Sequence, residues 1–172
     1  MSNWLTAMNP SSPITTEAEA ERAAKASAIS IMIGVVVGLV GLAWTFANPA
    51  AIHEAVAAAS QNDPAAAAAS QGALQVGMWI AGGMVLVQIV LGTIQWRNPG
   101  KFIAILFMVL IAFGLVSTLA APMMAGMAPG MPETPMWQIV LSVVVMIVQM
   151  VLHVAGLRGI NQLDRIQMQQ SR

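Results

Sequence analysis

The chain has 172 residues, of which 58% are hydrophobic and only 8% are charged, and its formal net charge is zero. A soluble domain usually carries about 25% charged residues and cannot hide so much apolar surface, so the composition predicts an integral membrane protein. The absence of cysteine excludes disulfides and thiolate metal sites, and seven dispersed basic residues argue against nucleic acid as a partner.

The basic residues fall in three places: before the first long apolar run, between the second and the third, and after the fourth. They are Arg22, Lys25, Arg97, Lys101, Arg158, Arg165 and Arg172. Lysine and arginine are retained in the loops that are not translocated, so this shared side is predicted to be the cytoplasm. The sequence therefore predicts an all-α integral membrane protein with four transmembrane helices in an antiparallel bundle and both termini cytoplasmic.

The N-terminal segment, residues 1–27, is expected to be a cytoplasmic tail that contains the start of the first helix. Thr16 and Glu19 have the spacing of a capping box. The first span is predicted at residues 28–47. A cleaved secretory signal peptide is the alternative, but the length of this run and the acidic residues before it favour a retained helix.

Three glycines in the first span, Gly34, Gly38 and Gly41, are spaced four and three residues apart. Small residues at this spacing form a groove in which another helix can approach closely. They are predicted to be helix-packing residues, either within the bundle or between copies of the chain.

The loop after the first span contains two helix starts. Residues 50–60 are expected to form a short amphipathic helix on the outer membrane surface. Asp63 and Pro64 form an N-cap and first-turn pair, after which the second span is predicted at residues 73–96. A helix that is continuous from Pro64 projects beyond the bilayer unless Gly72 interrupts it.

Residues 97–101, which include Asn98, Pro99 and Gly100, predict a tight cytoplasmic turn. Spans two and three are therefore expected to form an antiparallel hairpin, with the third span at residues 102–121. A methionine-rich outer loop follows, with Met123, Met124, Met127, Met131 and Met136. Thioethers bind Cu(I), which makes a copper site one interpretation, and an adaptable apolar contact surface is the other.

The fourth span is predicted at residues 137–157, which closes a transmembrane domain of residues 28–158. Gln149 and His153 share one face of this helix. A histidine at this depth can ligate a haem or a chlorophyll, although a hydrogen bond to another helix is the more common role. Residues 159–172 are expected to be a cytoplasmic amphipathic tail suited to the inner leaflet or to a partner.

No aspartate, glutamate, lysine or arginine lies inside a predicted span, which argues against ion-coupled transport and proton relays. No catalytic set of serine, histidine and acid can be assembled, so the protein is predicted not to be an enzyme and to need no metal or cofactor. The expected function is a non-enzymatic helix-packing subunit or assembly factor of an inner-membrane complex, whose partners are the lipid bilayer and other membrane subunits or copies of itself. The alternatives are a small-molecule channel or carrier, and a cofactor or copper binder that uses His153 or the methionine-rich loop.

Overall fold

The computed structural model describes residues 4–60, 63–125 and 135–171, and these residues form helices without any β-strand. Within those ranges the helices are α1 (Trp4–Met8), α2 (Glu17–Ala47), α3 (Pro49–Ser60), α4 (Pro64–Arg97), α5 (Lys101–Ala125) and α6 (Met136–Gln170). Four of them, α2, α4, α5 and α6, are long and apolar enough to cross a membrane. The protein is therefore a multi-pass helical membrane protein, as predicted.

Large apolar side chains cover the outer faces of these helices. Trp79, Phe102 and Phe113 are 76%, 78% and 73% exposed. A water-soluble protein rarely leaves so extensive an apolar surface uncovered, whereas lipid solvates it.

The predicted helix starts at Thr16 and at Asp63 are confirmed. The Oγ1 of Thr16 accepts a hydrogen bond from the backbone N–H of Glu19 (3.3 Å), and the Glu19 carboxylate accepts one from the backbone N–H of Thr16 (3.2 Å). At α4, Asp63 Oδ1 accepts from the backbone N–H of Ala65 (2.9 Å), with Pro64 in the first turn. These side chains satisfy N–H groups that have no partner inside the helix, and so they determine where each helix begins.

α4 continues through Gly72 without a break. At 1.5 Å per residue its 34 residues extend about 50 Å, which exceeds the hydrocarbon thickness of about 30 Å. Its first turns therefore project beyond the apolar layer, where α3 packs against it.

α2 and α6 are the two central helices, because α2 packs along α6 and α4, and α6 packs along α2 and α5. α2 and α6 run in opposite directions. At one end Gln170 Nε2 donates to the carboxylate of Glu17 (3.5 Å), and further along Gln149 Nε2 donates to the backbone carbonyl of Ser30 (3.1 Å). The start of the first long helix and the end of the last one therefore lie at the same end of the molecule.

Two glycines of α6 allow this close contact with α2. A Cβ atom on Gly156 would lie 2.6 Å from the Cβ of Ser27, and one on Gly159 would lie 2.6 Å from the backbone carbon of Ala23 and 2.8 Å from the carbonyl oxygen of Ala20. Such distances are shorter than van der Waals contact. The two backbones approach this closely only because α6 has no side chain at these positions.

The last turns of α6 also pack inside the structure. Ile160, 3% exposed, lies in a cluster with Ala24 of α2 and Ala104 of α5. The apolar face predicted for the C-terminal tail is therefore partly covered by the chain itself.

The same end of the molecule brings basic residues of several helices together. Lys25 Nζ of α2 lies 5.6 Å from the ring centroid of Trp96 in α4, and Lys101 of α5 forms an ion pair with Asp164 of α6 (2.6 Å). Basic residues that are separate in sequence thus lie at one end of the molecule.

α4 and α5 are joined by the predicted short turn. Gln95 is fully buried and its Oε1 accepts from the backbone N–H of Gly100 (3.0 Å), which stabilises the reversal. Beyond the turn the two helices have few contacts with each other, because α4 packs on α2 while α5 packs on α6. This separation leaves a gap between α4 and α5.

Candidate functional site

A polar cluster connects α2 and α6 within the apolar part of the protein. Ser27 Oγ lies 2.8 Å from His153 Nδ1. Ser30 Oγ donates to the backbone carbonyl of Gln149 (3.0 Å), and the side-chain Nε2 of Gln149 donates to the backbone carbonyl of Ser30. Ser27, Ser30 and His153 are fully buried. Ser27 and Ser30 are three residues apart in α2, and Gln149 and His153 are four residues apart in α6. Residues at these spacings lie on one face of a helix, so the two pairs can face each other.

Gln88 of α4 extends this cluster toward the gap. At Gly34 of α2 an added Cβ atom would lie 3.1 Å from Gln149 Nε2 and 3.3 Å from Gln88 Oε1. Both glutamine side chains therefore approach Gly34, which has no side chain of its own.

Two polar atoms of the cluster have no hydrogen-bond partner among the described residues. They are His153 Nε2 and Gln88 Oε1, and both are buried. Burying such a group without a partner costs about 1–3 kcal/mol. Most buried polar groups are satisfied, so each of these atoms requires a physical explanation.

Both side chains line one cavity of about 310 Å³, called here the polar cavity. All four long helices contribute to it. Its lining residues are Ser30, Ile31, Gly34, Met84, Gln88, Phe107, Leu110, Ile111, Gly114, Met146, Gln149 and His153. The side between α4 and α5 is the one that direct helix packing does not close. The cavity is thus lined by polar side chains of α2, α4 and α6 and by apolar side chains of all four long helices.

One wall is aromatic. The rings of Phe107 and His153 are stacked, with centroids 6.0 Å apart and an angle of 14° between their planes. This contact and the hydrogen bond to Ser27 hold the imidazole from two directions, so its orientation is determined by α2 and α5 as well as by its own helix.

The polar cavity lies within the apolar stretches of the long helices. Gln88 and Gln149 are each nine residues from the nearest arginine at the basic end, which corresponds to about 13 Å along a helix. This distance is comparable with half of the hydrocarbon thickness of a bilayer, about 15 Å.

The three glycines predicted to pack helices have different surroundings. Gly34 faces the two glutamines of the polar cavity, and a Cβ on Gly38 would lie 2.7 Å from Val85 of α4. Around Gly41 no atom of the described residues lies within 4 Å of the corresponding position. The first two positions therefore face other helices of the same chain, and Gly41 borders an open groove between α2 and α4.

The candidate ligand residues are also separated. Met127 and Met131 of the methionine-rich loop lie outside the described residues, while Met123 and Met136 are exposed. Among the described residues no group of three His, Asp or Glu side chains converges. His153 has one ring nitrogen engaged by Ser27, and only Nε2 is open to a further contact.

Ser27 and Ser30 were not among the site residues predicted from the sequence. The available signal was the continuation of the glycine row toward the N-terminus, where small residues keep the spacing of three and four. These residues are Ala20, Ala24, Ser27, Ser30 and Gly34, and all five belong to the face of α2 that meets other helices.

No protein-family model matches this chain, and neither a curated protein nor a solved structure does. The site is therefore interpreted from its own geometry and chemistry.

Proposed function

We propose that the protein is a non-enzymatic membrane protein that binds a small, neutral, lipid-soluble molecule in the polar cavity. The observation that carries this proposal is the pair of unpartnered buried atoms, His153 Nε2 and Gln88 Oε1, on different helices of one cavity. A ligand whose polar groups reach both atoms satisfies them and removes the cost of their burial.

The size of the cavity suits a small molecule. Ligand pockets range from roughly 300 to 1,000 Å³, so a cavity of about 310 Å³ is at the lower end. The space therefore suits a head group of a few rings or carbons.

The lining favours a neutral ligand. None of the described residues that line the polar cavity carries a formal charge. An ion at this depth requires an opposite charge or extensive hydration, and such sites are marked by ionisable residues. The polar groups available here are hydrogen-bonding groups only.

A cavity-filling variant tests the proposal. A Cβ at Gly114 would be in ordinary contact with Met146 Sδ, at 3.4 Å, so a leucine side chain there extends into the polar cavity. We expect native mass spectrometry of the full chain in mild detergent to show one small molecule per protein, which Gly114→Leu loses. Gly83→Leu is the matched control, because that glycine is exposed on α4 with open space around it. Equal ligand occupancy in Gly114→Leu and in the wild type would contradict the proposal.

An accessory subunit of a membrane complex is the second candidate function. It is favoured by the groove between α2 and α4 where Gly41, Gly77 and Ala81 lie together, since small residues allow a helix of another membrane protein to approach. Crosslinking and mass spectrometry of the gently extracted protein test this. A stoichiometric partner that is lost in Gly77→Leu and retained in Gly83→Leu supports the subunit role, and a crosslink to a second copy indicates a homo-oligomer instead.

We also propose the orientation and the membrane. Basic residues of α2, α4, α5 and α6 lie at the end of the molecule where α2 begins and α6 ends. This supports a cytoplasmic location for that end and for both termini, in a bacterial-type inner membrane.

A further inference from the structure

We propose that the head group of the ligand is a planar ring with two oxygen atoms on opposite sides, as in a quinone or a quinol with an apolar tail. This inference rests on the proposed function and names the chemical class of the ligand.

The number and position of the unpartnered atoms indicate two oxygens. His153 Nε2 belongs to α6 and Gln88 Oε1 belongs to α4, and both helices line the polar cavity. Ser27, which contacts His153, and Gly34, which Gln88 Oε1 faces, are seven residues apart in α2, about 10 Å along the helix. A single hydroxyl group can both donate and accept, but over this separation it is expected to reach only one of the two atoms. Two oxygen atoms on opposite sides of a ring can serve the side chains of His153 and Gln88 at the same time. The rigid ring then makes each hydrogen bond help to position the other oxygen atom.

The two protein groups are able to serve either carbonyl or hydroxyl oxygens. When Ser27 Oγ donates to His153 Nδ1, the imidazole carries its proton on Nε2 and donates to a carbonyl. In the opposite tautomer Ser27 accepts and Nε2 accepts from a hydroxyl. The amide of Gln88 offers the same choice, because rotation by 180° exchanges its oxygen for its NH₂ group. The site therefore accommodates both the quinone and the quinol form.

The walls favour a flat, polarisable head group. Phe107 presents an aromatic ring beside the imidazole, and Met84 and Met146 contribute thioethers from α4 and α6. Aromatic rings and methionine sulfur make favourable contacts with a planar ring. An attached tail leaves through the side between α4 and α5, which direct helix packing does not close.

Other lipid classes fit this lining less well. A phospholipid head group carries a phosphate, and no described lining residue offers a cation to it. A fatty alcohol has the right tail but only one oxygen and no ring.

The binding experiment compares three probes on the purified full chain by native mass spectrometry: a decyl-substituted 1,4-benzoquinone, its quinol and 1-decanol. We expect the quinone and the quinol to bind one per protein, with 1-decanol at least about tenfold weaker, the ratio that corresponds to one hydrogen bond of 1.4 kcal/mol.

Three substitutions locate the binding. His153→Phe and Gln88→Leu each remove one hydrogen-bonding group, and Phe107→Leu removes the aromatic wall while it keeps apolar volume. Each is expected to weaken quinone binding by about tenfold. The matched controls His53→Phe and Gln138→Leu change exposed residues outside the polar cavity and are expected to leave binding unchanged. Thermal unfolding in detergent shows whether each variant is folded.

The outcomes separate this inference from the proposed function. Equal binding of 1-decanol and the quinone in the wild type overturns the ring-and-two-oxygen assignment, even if no variant folds, and leaves the small-molecule role in place. Quinone binding that is unchanged in folded His153→Phe and Gln88→Leu overturns the assignment to this site. Absence of binding by all three probes, together with equal ligand content in Gly114→Leu and the wild type, overturns both.

Discussion

Gly159→Ala tests whether the close contact between α2 and α6 holds this protein together. The added methyl group meets backbone atoms: the nitrogen of Ala24, the carbonyl carbon of Ala23 at 2.6 Å and the carbonyl oxygen of Ala20 at 2.8 Å. A side chain can rotate away from a new methyl group, but a helical backbone cannot. We therefore expect α6 to move away from α2.

The magnitude follows from the distances. Restoring a contact of about 3.5 Å requires the helices to separate by about 1 Å. Inserting a methyl group into a well-packed contact costs about 1–3 kcal/mol. The same movement stretches the hydrogen bonds that Ser27 and Ser30 make with α6, now 2.8–3.1 Å long, each of which is worth about 0.6 kcal/mol in a membrane. The free energy of unfolding is expected to fall by about 3–5 kcal/mol.

The assay is reversible unfolding in mixed micelles by titration with sodium dodecyl sulfate, followed by tryptophan fluorescence. Gly83→Ala is the control, because an added methyl group there meets open space and alanine favours the helix by up to about 1 kcal/mol. Adding Ala24→Gly to Gly159→Ala should not restore the unfolding free energy, because the atoms that obstruct the new methyl group are backbone atoms. An unfolding free energy of Gly159→Ala within about 0.5 kcal/mol of the wild type would refute this account of the contact.

The other predictions concern the helix start, the polar cluster and the orientation. Thr16→Ala removes the N-cap of α2 and should lower the unfolding free energy by about 1 kcal/mol in the same titration; an unchanged midpoint would show that the cap does not matter. Ser27→Ala should lower the unfolding free energy by about 0.6–1.7 kcal/mol because it removes the hydrogen bond to the buried imidazole. Ser142→Ala, on the exposed face of α6, should lower it by less than about 0.5 kcal/mol. Equal effects of the two substitutions would argue against a special role of the polar cluster. Because the natural chain has no cysteine, a single cysteine in place of Ala58 should react with a membrane-impermeant maleimide in intact cells, and one in place of Ser171 only after permeabilisation; the reverse pattern would invert the proposed orientation.

Local features were predictable from the sequence where the responsible residues are close together in the chain. Thr16 with Glu19, and Asp63 with Pro64, act within one turn of helix, and the structure shows both helix starts. The turn between α4 and α5 is equally local. Gln95 is different: its contact with Gly100 is close in sequence, but its burial depends on the helices around it.

The polar cavity was not predictable in the same way. Its central hydrogen bonds join Ser27 to His153 and Ser30 to Gln149, residues more than one hundred positions apart. The sequence shows that uncharged polar residues lie at membrane depth, but many rotations of four helices about their axes keep the same hydropathy. Which polar groups meet, and which remain unpartnered, depends on the rotation that the structure adopts.

The sequence by itself determined that this chain is helical and crosses a membrane several times, because lipid accepts only apolar segments whose backbone groups are paired within the segment. The tertiary structure decided the rest. The backbone contact at Gly156 and Gly159 sets the distance and rotation between α2 and α6, and this arrangement places the serines of one helix against the glutamine and histidine of the other. The packing of α4 on α2 and of α5 on α6 also leaves a space between α4 and α5, because these two helices have few contacts with each other beyond their connecting turn.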